Sequence, residues 1–277
     1  MTAGMNAFEA LAMVPGWDHE NADIEELKGG LTNRVYHVRS NGEQCVLRLN
    51  ADHSGTFNLD RTCETPILET AAEAGIAPRI LYSDADAGIL VTEFLEGTVW
   101  QEADLDSVEK LEALAGLLRQ VHELPPCCTR VDLVEIGSKY AEYLRTRHGL
   151  HAFASICVKV INEIPLHDQV VCCHNDVVAA NVIESENLKL IDWEYACDND
   201  PLFDLASAIG FHNLNEQRQQ IFLSAYAGGA DNELRERLND QIRVFDAVQW
   251  LWLATQQLVS PHRDQARRLE ELQMRIR

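Results

Sequence analysis

The sequence predicts an α+β protein of bilobal outline, with a small β-rich N-lobe over residues 1–96 and a larger, mainly helical C-lobe over residues 97–277. Three observations carry that expectation. The first third is a series of short β-branched and apolar runs parted by turn residues. Past Gly97 the apolar residues recur at helical spacing instead. One strand-like cluster between Val170 and Pro201 interrupts the helical part.

Taken in order, EELKGGLTNRVYHVRS holds a Gly-Gly turn followed by Val35, Tyr36 and Val38, and NGE then turns the chain into CVLRL as a hairpin. Between Asp60 and Glu73, Ile67, Leu68, Ala71 and Ala72 fall at helical spacing, with Gly75 placed to cap the C-terminus. APRILYSDADAGILVTEFLEG supplies two more strands around the turn Asp84 to Gly88. From Ser107 to His122, Val108, Leu111, Leu114, Ala115, Leu118 and Val121 mark an amphipathic helix. The interruption reads as strand VVCCH, a loop, strand NVIE, turn SEN and strand LKLID. The chain has no internal repeat and no low-complexity tract.

Composition narrows the function classes. Of 277 residues, 46% are hydrophobic and 24% charged, the balance of a globular protein. Lys and Arg number 23 against 44 Asp and Glu, a formal charge of −21 that repels phosphate backbones and argues against a nucleic-acid partner. No apolar run approaches the roughly 18 residues of a membrane span. The N-terminal MTAGMNAFEALAMVPGW has no basic region, so no secretory signal is expected. Cys45, Cys63, Cys127, Cys128, Cys157, Cys172, Cys173 and Cys197 include no CxxC pair. They are expected to be reduced, mostly buried thiols of a cytoplasmic protein rather than a zinc site.

The polar residues of the interruption carry the chemistry. Phosphoryl transfer from a nucleotide needs a carboxylate to receive the acceptor's proton and hard oxygen ligands for Mg²⁺. It also needs a cation on the phosphates and a turn over them. In HNDVVAANVI, Asp176 and Asn181 lie five residues apart, and Asp192 follows eleven later at the end of LKLID. Two strands flanking a turn would return Asp192 to Asn181. HxD alone is a weak signal, because Asp or Asn near a strand end commonly caps a turn. HxDxxxxN followed by an apolar strand ending in Asp has the order and spacing of a kinase catalytic loop and metal loop.

HNDVVAAN together with LIDWEYA resembles the choline/ethanolamine kinase family, a branch of the protein-kinase-like small-molecule phosphotransferases that is related to aminoglycoside phosphotransferases and thiamine kinases. The resemblance runs from about Leu27 to Ala206 and implies a protein-kinase-like fold and an ATP-dependent, Mg²⁺-dependent kinase. HND favours the choline branch, since aminoglycoside kinases more usually carry HGD and thiamine kinases HxDxHxGN. By this likeness GGLTNRVYHV covers the phosphates through Gly29, Gly30 and Thr32, and Arg48 of VLRL bridges them. Glu64 of RTCE positions Arg48, and the backbone from Glu93 to Leu95 meets the adenine. By the same likeness Asp176 would accept the substrate hydroxyl's proton, Asn181 and Asp192 would hold Mg²⁺, His174 would brace the loop and Asp204 would cap its backbone amides.

The implied acceptor is a small, cationic amino-alcohol of choline or ethanolamine type, with thiamine or an aminoglycoside as alternatives. Quaternary amines bind on aromatic faces, and QWLWLATQQ offers Trp250 and Trp252. Two positions apart on a helix is roughly 200° of rotation, so both cannot face one pocket. Trp252 resembles the family's second pocket Trp, with Gln249 at the place of the first; core packing explains the pair equally. Glu194 and Tyr195 follow the metal-loop Asp and face either a cleft or the loop. Phe211 and His212 stand where the family often has a substrate-side acid, and Glu216 comes later. A non-catalytic nucleotide- or amine-binding pseudokinase and a metal-dependent hydrolase are the rival readings, and the oligomeric state is left open.

Overall fold

A computed structural model describes residues 5–27, 33–50, 61–126, 130–164, 169–229, 231–259 and 263–276. Gly29, Gly30 and Thr32 lie outside the described residues, as do Cys127 and Cys128. The chain packs into two compact units: residues 1–100 with 181–195, and residues 101–180 with 196–277.

The first unit is built on an antiparallel five-stranded sheet in the order β1-β2-β3-β5-β4. Its strands are β1 (Asp23–Leu27), β2 (Asn33–Ser40), β3 (Glu43–Asn50), β4 (Ile80–Asp84) and β5 (Ile89–Glu93). The expected Asn-Gly hairpin joins β2 to β3. Asn41 and Gly42 both take positive φ, 53° and 82°, and Ser40 faces Glu43 in register. Val38, Leu47, Leu49, Ile89 and Val91 form a buried core against α1 (Ala7–Leu11). That helix, which the sequence reading missed, opens on a capping box between Asn6 and Glu9.

The expected helix between Asp60 and Glu73 is α2 (Arg61–Glu73). Gly75 ends it at φ 79°, and the Ile76 N–H returns to the Ala71 carbonyl. Two-residue β6 (Thr98–Val99), β8 (Val182–Glu184) and β9 (Leu188–Leu190) make a second antiparallel sheet in this unit. Gly97 is required at its edge, because a Cβ there would stand 2.6 Å from the Glu184 carbonyl oxygen.

The second unit is helical: α3 (Val108–His122), α4 (Leu133–Tyr143), α5 (His148–Glu163), α6 (Pro201–His212), α7 (Glu216–Ala227), α8 (Asn232–Val259) and α9 (Arg263–Ile276). Long α8 packs against α4, α5, α6 and α9, and α3 packs on α7. Trp250 is fully buried in α8 and meets Phe153 of α5 at 4.7 Å between ring centroids, so it is a core residue. A two-stranded antiparallel ribbon, β7 (Val171–Cys173) with β10 (Cys197–Asn199), lies against α6. β10 was not expected, since CDN has no apolar alternation. Helix α6 begins on Asp200 as N-cap, whose carboxylate accepts the Leu202 N–H at 2.9 Å, with Pro201 in the first turn.

Candidate active site

In the first unit the charged residues gather around Arg48. Its neighbours in β3, Leu47 and Leu49, are buried in the core, and Arg48 itself is only 8% exposed. Glu64 of α2 receives both terminal nitrogens, at 2.5 and 2.6 Å, in a forked pair. Asp192 Oδ1 stands 3.5 Å from the same guanidinium. Burial pulls the Arg48 pKa down, but Glu64 first, then Asp192 and Glu194, more than offset it, so the group is firmly cationic. Nε is buried with no acceptor among the described residues.

Asn181 and Asp192 are brought to one edge of the β8–β9 hairpin. Val182 pairs with Leu190, and the Ile191 N–H donates to the Asn181 carbonyl at 2.9 Å. Asp192 adopts φ 64°, a conformation Asp tolerates better than most residues. Three carboxylates, Glu64, Asp192 and Glu194, act on one arginine, which leaves two negative charges in formal excess. An oxygen donor set with that surplus fits a hard divalent cation.

In the second unit, Asp176 sits half-buried on the loop leaving β7. The residue before it, Asn175, takes φ 64°. Its amide oxygen accepts from Asn199 Nδ2 at 2.8 Å, and its own amide nitrogen donates to the carbonyls of Cys173 and Cys197, each at 3.4 Å. The side chain thus ties the sharp turn to both strands of the ribbon. Asp204 accepts the backbone N–H groups of His174 at 2.9 Å and Asn175 at 2.6 Å, the capping role expected of it. Ser207 accepts the Val177 N–H and His212 Nε2 the Ala179 N–H, both at 3.0 Å. Fully buried His174 belongs to this braced loop.

His122, at the end of α3, completes the bracing. Its Nε2 pairs with Asp204 Oδ2 at 3.0 Å and its Nδ1 with the Tyr226 hydroxyl at 2.8 Å. Cys173 lies in the same cluster, within 4.8 Å. Burial pushes its thiol well up, and Sγ–H donates to the carbonyls of Asn199 and Asp200. A protonated thiol beside a carboxylate already engaged by two amides and a histidine is a hydrogen-bonded brace rather than a metal centre.

The remaining expected residues fall as follows. Glu93 ends β5 with its carboxylate on Arg79 Nε at 2.8 Å, and the Glu93 N–H reaches the Arg79 carbonyl. Leu95 is half-buried two residues on, and between them Phe94 stacks on His37 at 4.0 Å. Glu194 is buried and accepts from Asn33 Nδ2 at 2.7 Å, which places it with the Arg48 group. Tyr195 and Trp252 are each partly exposed. The functional pairings the sequence reading missed are those of His122, Ser207, His212 and Asn33. Polar residues in an otherwise apolar α6 were the available signal for two of them.

The phosphotransferase enzyme family matches residues 23–240 of this chain. Choline kinase B1 of Caenorhabditis elegans is 33% identical, over 87% of this chain and 78% of that one. Protein LicA of Haemophilus influenzae is 27% identical over 72% of this chain, and the match spans only 61% of LicA's own length. Among solved structures, a choline/ethanolamine kinase family protein from Mesorhizobium loti superposes with a TM-score of 0.76 at 25% identity, covering 98% of this chain and 92% of that chain. The chain therefore belongs to the phosphotransferase enzyme family and has an α+β kinase-like fold.

Proposed function

We propose that this protein transfers the γ-phosphate of ATP to the hydroxyl of a small cationic amino-alcohol, of choline or ethanolamine type. The observation that carries the reading is Arg48. A buried guanidinium, forked onto Glu64 and still presenting a buried Nε–H without a protein acceptor among the described residues, suits a phosphate oxygen. Gly30 and Thr32 would cover the phosphates, and the backbone of Glu93 to Leu95 would meet the adenine. In this reading residues 1–96 act as the nucleotide-covering lobe and residues 97–277 as the lobe of the catalytic loop and acceptor pocket.

Asn181 and Asp192 would hold Mg²⁺, which when bound supplies charge neutralisation on the phosphate oxygens. Asp176 accepts the proton of the acceptor hydroxyl as its oxygen attacks phosphorus. Glu194, engaged by Asn33, serves the Arg48 side more readily than the acceptor. Tyr195 and Trp252 are the residues we assign to the amine. The acidic surface and the free thiols suit a cytoplasmic enzyme.

The test is ADP formation with Mg-ATP and a panel of choline, ethanolamine, thiamine and an aminoglycoside. ADP release that follows choline or ethanolamine supports the reading; release with thiamine or the aminoglycoside alone replaces the acceptor class. If no acceptor gives ADP while ATP still raises the melting temperature, the protein is a nucleotide-binding pseudokinase instead.

A further inference from the structure

One face of α6 holds the loop that carries Asp176. Asp204 takes the amides of His174 and Asn175, Ser207 that of Val177, and His212 that of Ala179. At about 100° per residue these three positions fall within roughly 140° of one another around the helix. Two of the three acceptors are ordinary oxygens. The third is an imidazole, at the last residue of the helix before Asn213 turns left-handed at φ 50°.

The Ala179 bond dictates the state of that imidazole. Nε2 receives an N–H, so it must carry a lone pair, and the ring's single proton is on Nδ1. Nδ1 is buried without a partner among the described residues, so no protein acceptor there stabilises a doubly protonated ring. Ala179 begins the 3-10 turn Ala179–Asn181, so this contact sits on the chain midway between Asp176 and Asn181.

We propose that His212 is a positioning residue for phosphate transfer: its neutral ring pins the segment joining Asp176 to Asn181, and protonation of the ring withdraws the acceptor and frees that segment. The proposal rests on the roles given above to Asp176 and Asn181. It assigns a function to the position where an acceptor-side acid was expected, and that function is acid sensitivity of the loop rather than contact with the amine.

The charged groups that act on the ring are Glu102, from the 3-10 turn Glu102–Asp106, and Arg268 of α9. Arg268 is itself held by the Gly210 carbonyl, Gln249 and Asn213. Burial pushes the imidazole below its ordinary 6.5; Glu102 works upward and Arg268 downward. The sign follows. A folded state that disfavours the charged ring takes up fewer protons than the unfolded chain just below pH 6.5. The contribution to stability is complete above that pH and is lost as pH falls through the folded value.

Two substitutions separate the acceptor from its titration. His212→Gln offers a neutral amide oxygen near the position of Nε2, and His212→Leu keeps bulk without an acceptor. We expect His212→Leu to lower kcat about tenfold, the scale of one buried hydrogen bond, with KM for ATP within about twofold. His212→Gln should recover most of kcat and flatten the acid limb that we expect of the unmodified enzyme below pH 6.5. Amide exchange at Ala179, read without any acceptor alcohol, should lose protection on acidification in the unmodified protein and not in His212→Gln. Equal kcat and identical pH profiles for all three proteins would sink the proposal, as would unchanged Ala179 protection in His212→Leu. Failure of every acceptor alcohol would overturn the proposed reaction instead, and exchange at Ala179 still decides whether His212 holds the loop.

Discussion

The two residues most central to the proposed reaction are held by opposite means. Arg48 in the first unit is fixed by charge: one cation, a forked carboxylate and two further acids acting on it. Asp176 in the second unit is fixed through its backbone neighbours, whose amides dock on α6 through one carboxylate, one hydroxyl and one imidazole. The difference suits the two tasks. Holding phosphates requires a buried cation; a guanidinium stays charged there, and compensating acids offset the cost of burying it. Receiving a proton requires a carboxylate at a set distance from a hydroxyl, which is a matter of backbone geometry.

That contrast breaks most visibly at its chemical end. Asp176→Asn should lower kcat by ~10²-fold or more while ATP binding, measured by calorimetry, stays near normal. Near-normal turnover in that variant would remove Asp176 from the proposed role. On the charged side, Glu64→Gln keeps an acceptor but removes the charge and one arm of the fork. We expect KM for ATP to rise about tenfold or more, the range of a lost charge-assisted hydrogen bond, with a smaller fall in kcat. A loss confined to kcat would mean that Arg48 is not the phosphate cation. On the docked side, Ser207→Ala leaves the buried Val177 N–H without its acceptor and should cost about 1–3 kcal/mol in urea unfolding. This smallest effect should appear in stability and kcat together, with little change in KM for ATP.

The parts of this arrangement that could be read from the chain are those whose signal is local. The Asn-Gly turn between β2 and β3, the Gly75 cap and the hairpin returning Asp192 to Asn181 depend on neighbours within a dozen residues. Asp176, Asn181 and Asp192 became candidates because their order along one loop and two strands is itself a pattern, and the β8–β9 hairpin does return Asp192 to Asn181. The bracing was mostly hidden for the converse reason. Val177 and Ala179 find their acceptors 30 and 33 residues away, and Glu194 finds Asn33 at a separation of 161. No spacing rule reaches so far. Nor does periodicity reveal a strand as short as β10, whose three residues alternate in no hydrophobic sense. Trp250 and Trp252 illustrate the boundary: helix geometry showed that they face different ways, and only the packing on Phe153 showed that Trp250 is the inward one.

The docking of the loop has a consequence for where anionic charge can be met during transfer. The amides of His174, Asn175, Val177 and Ala179 all point at side chains of α6, and that of Val178 at the Asp176 carbonyl. A run of main-chain donors is what other enzymes aim at a developing oxyanion. Here those donors face the helix and are closed to a phosphate, so in the proposed reaction the loop would supply a base without an anion cradle. Under the proposed reaction, charge building on the phosphoryl group would be countered by Mg²⁺ held at Asn181 and Asp192 and by Arg48, whose buried Nε–H has no acceptor among the described residues.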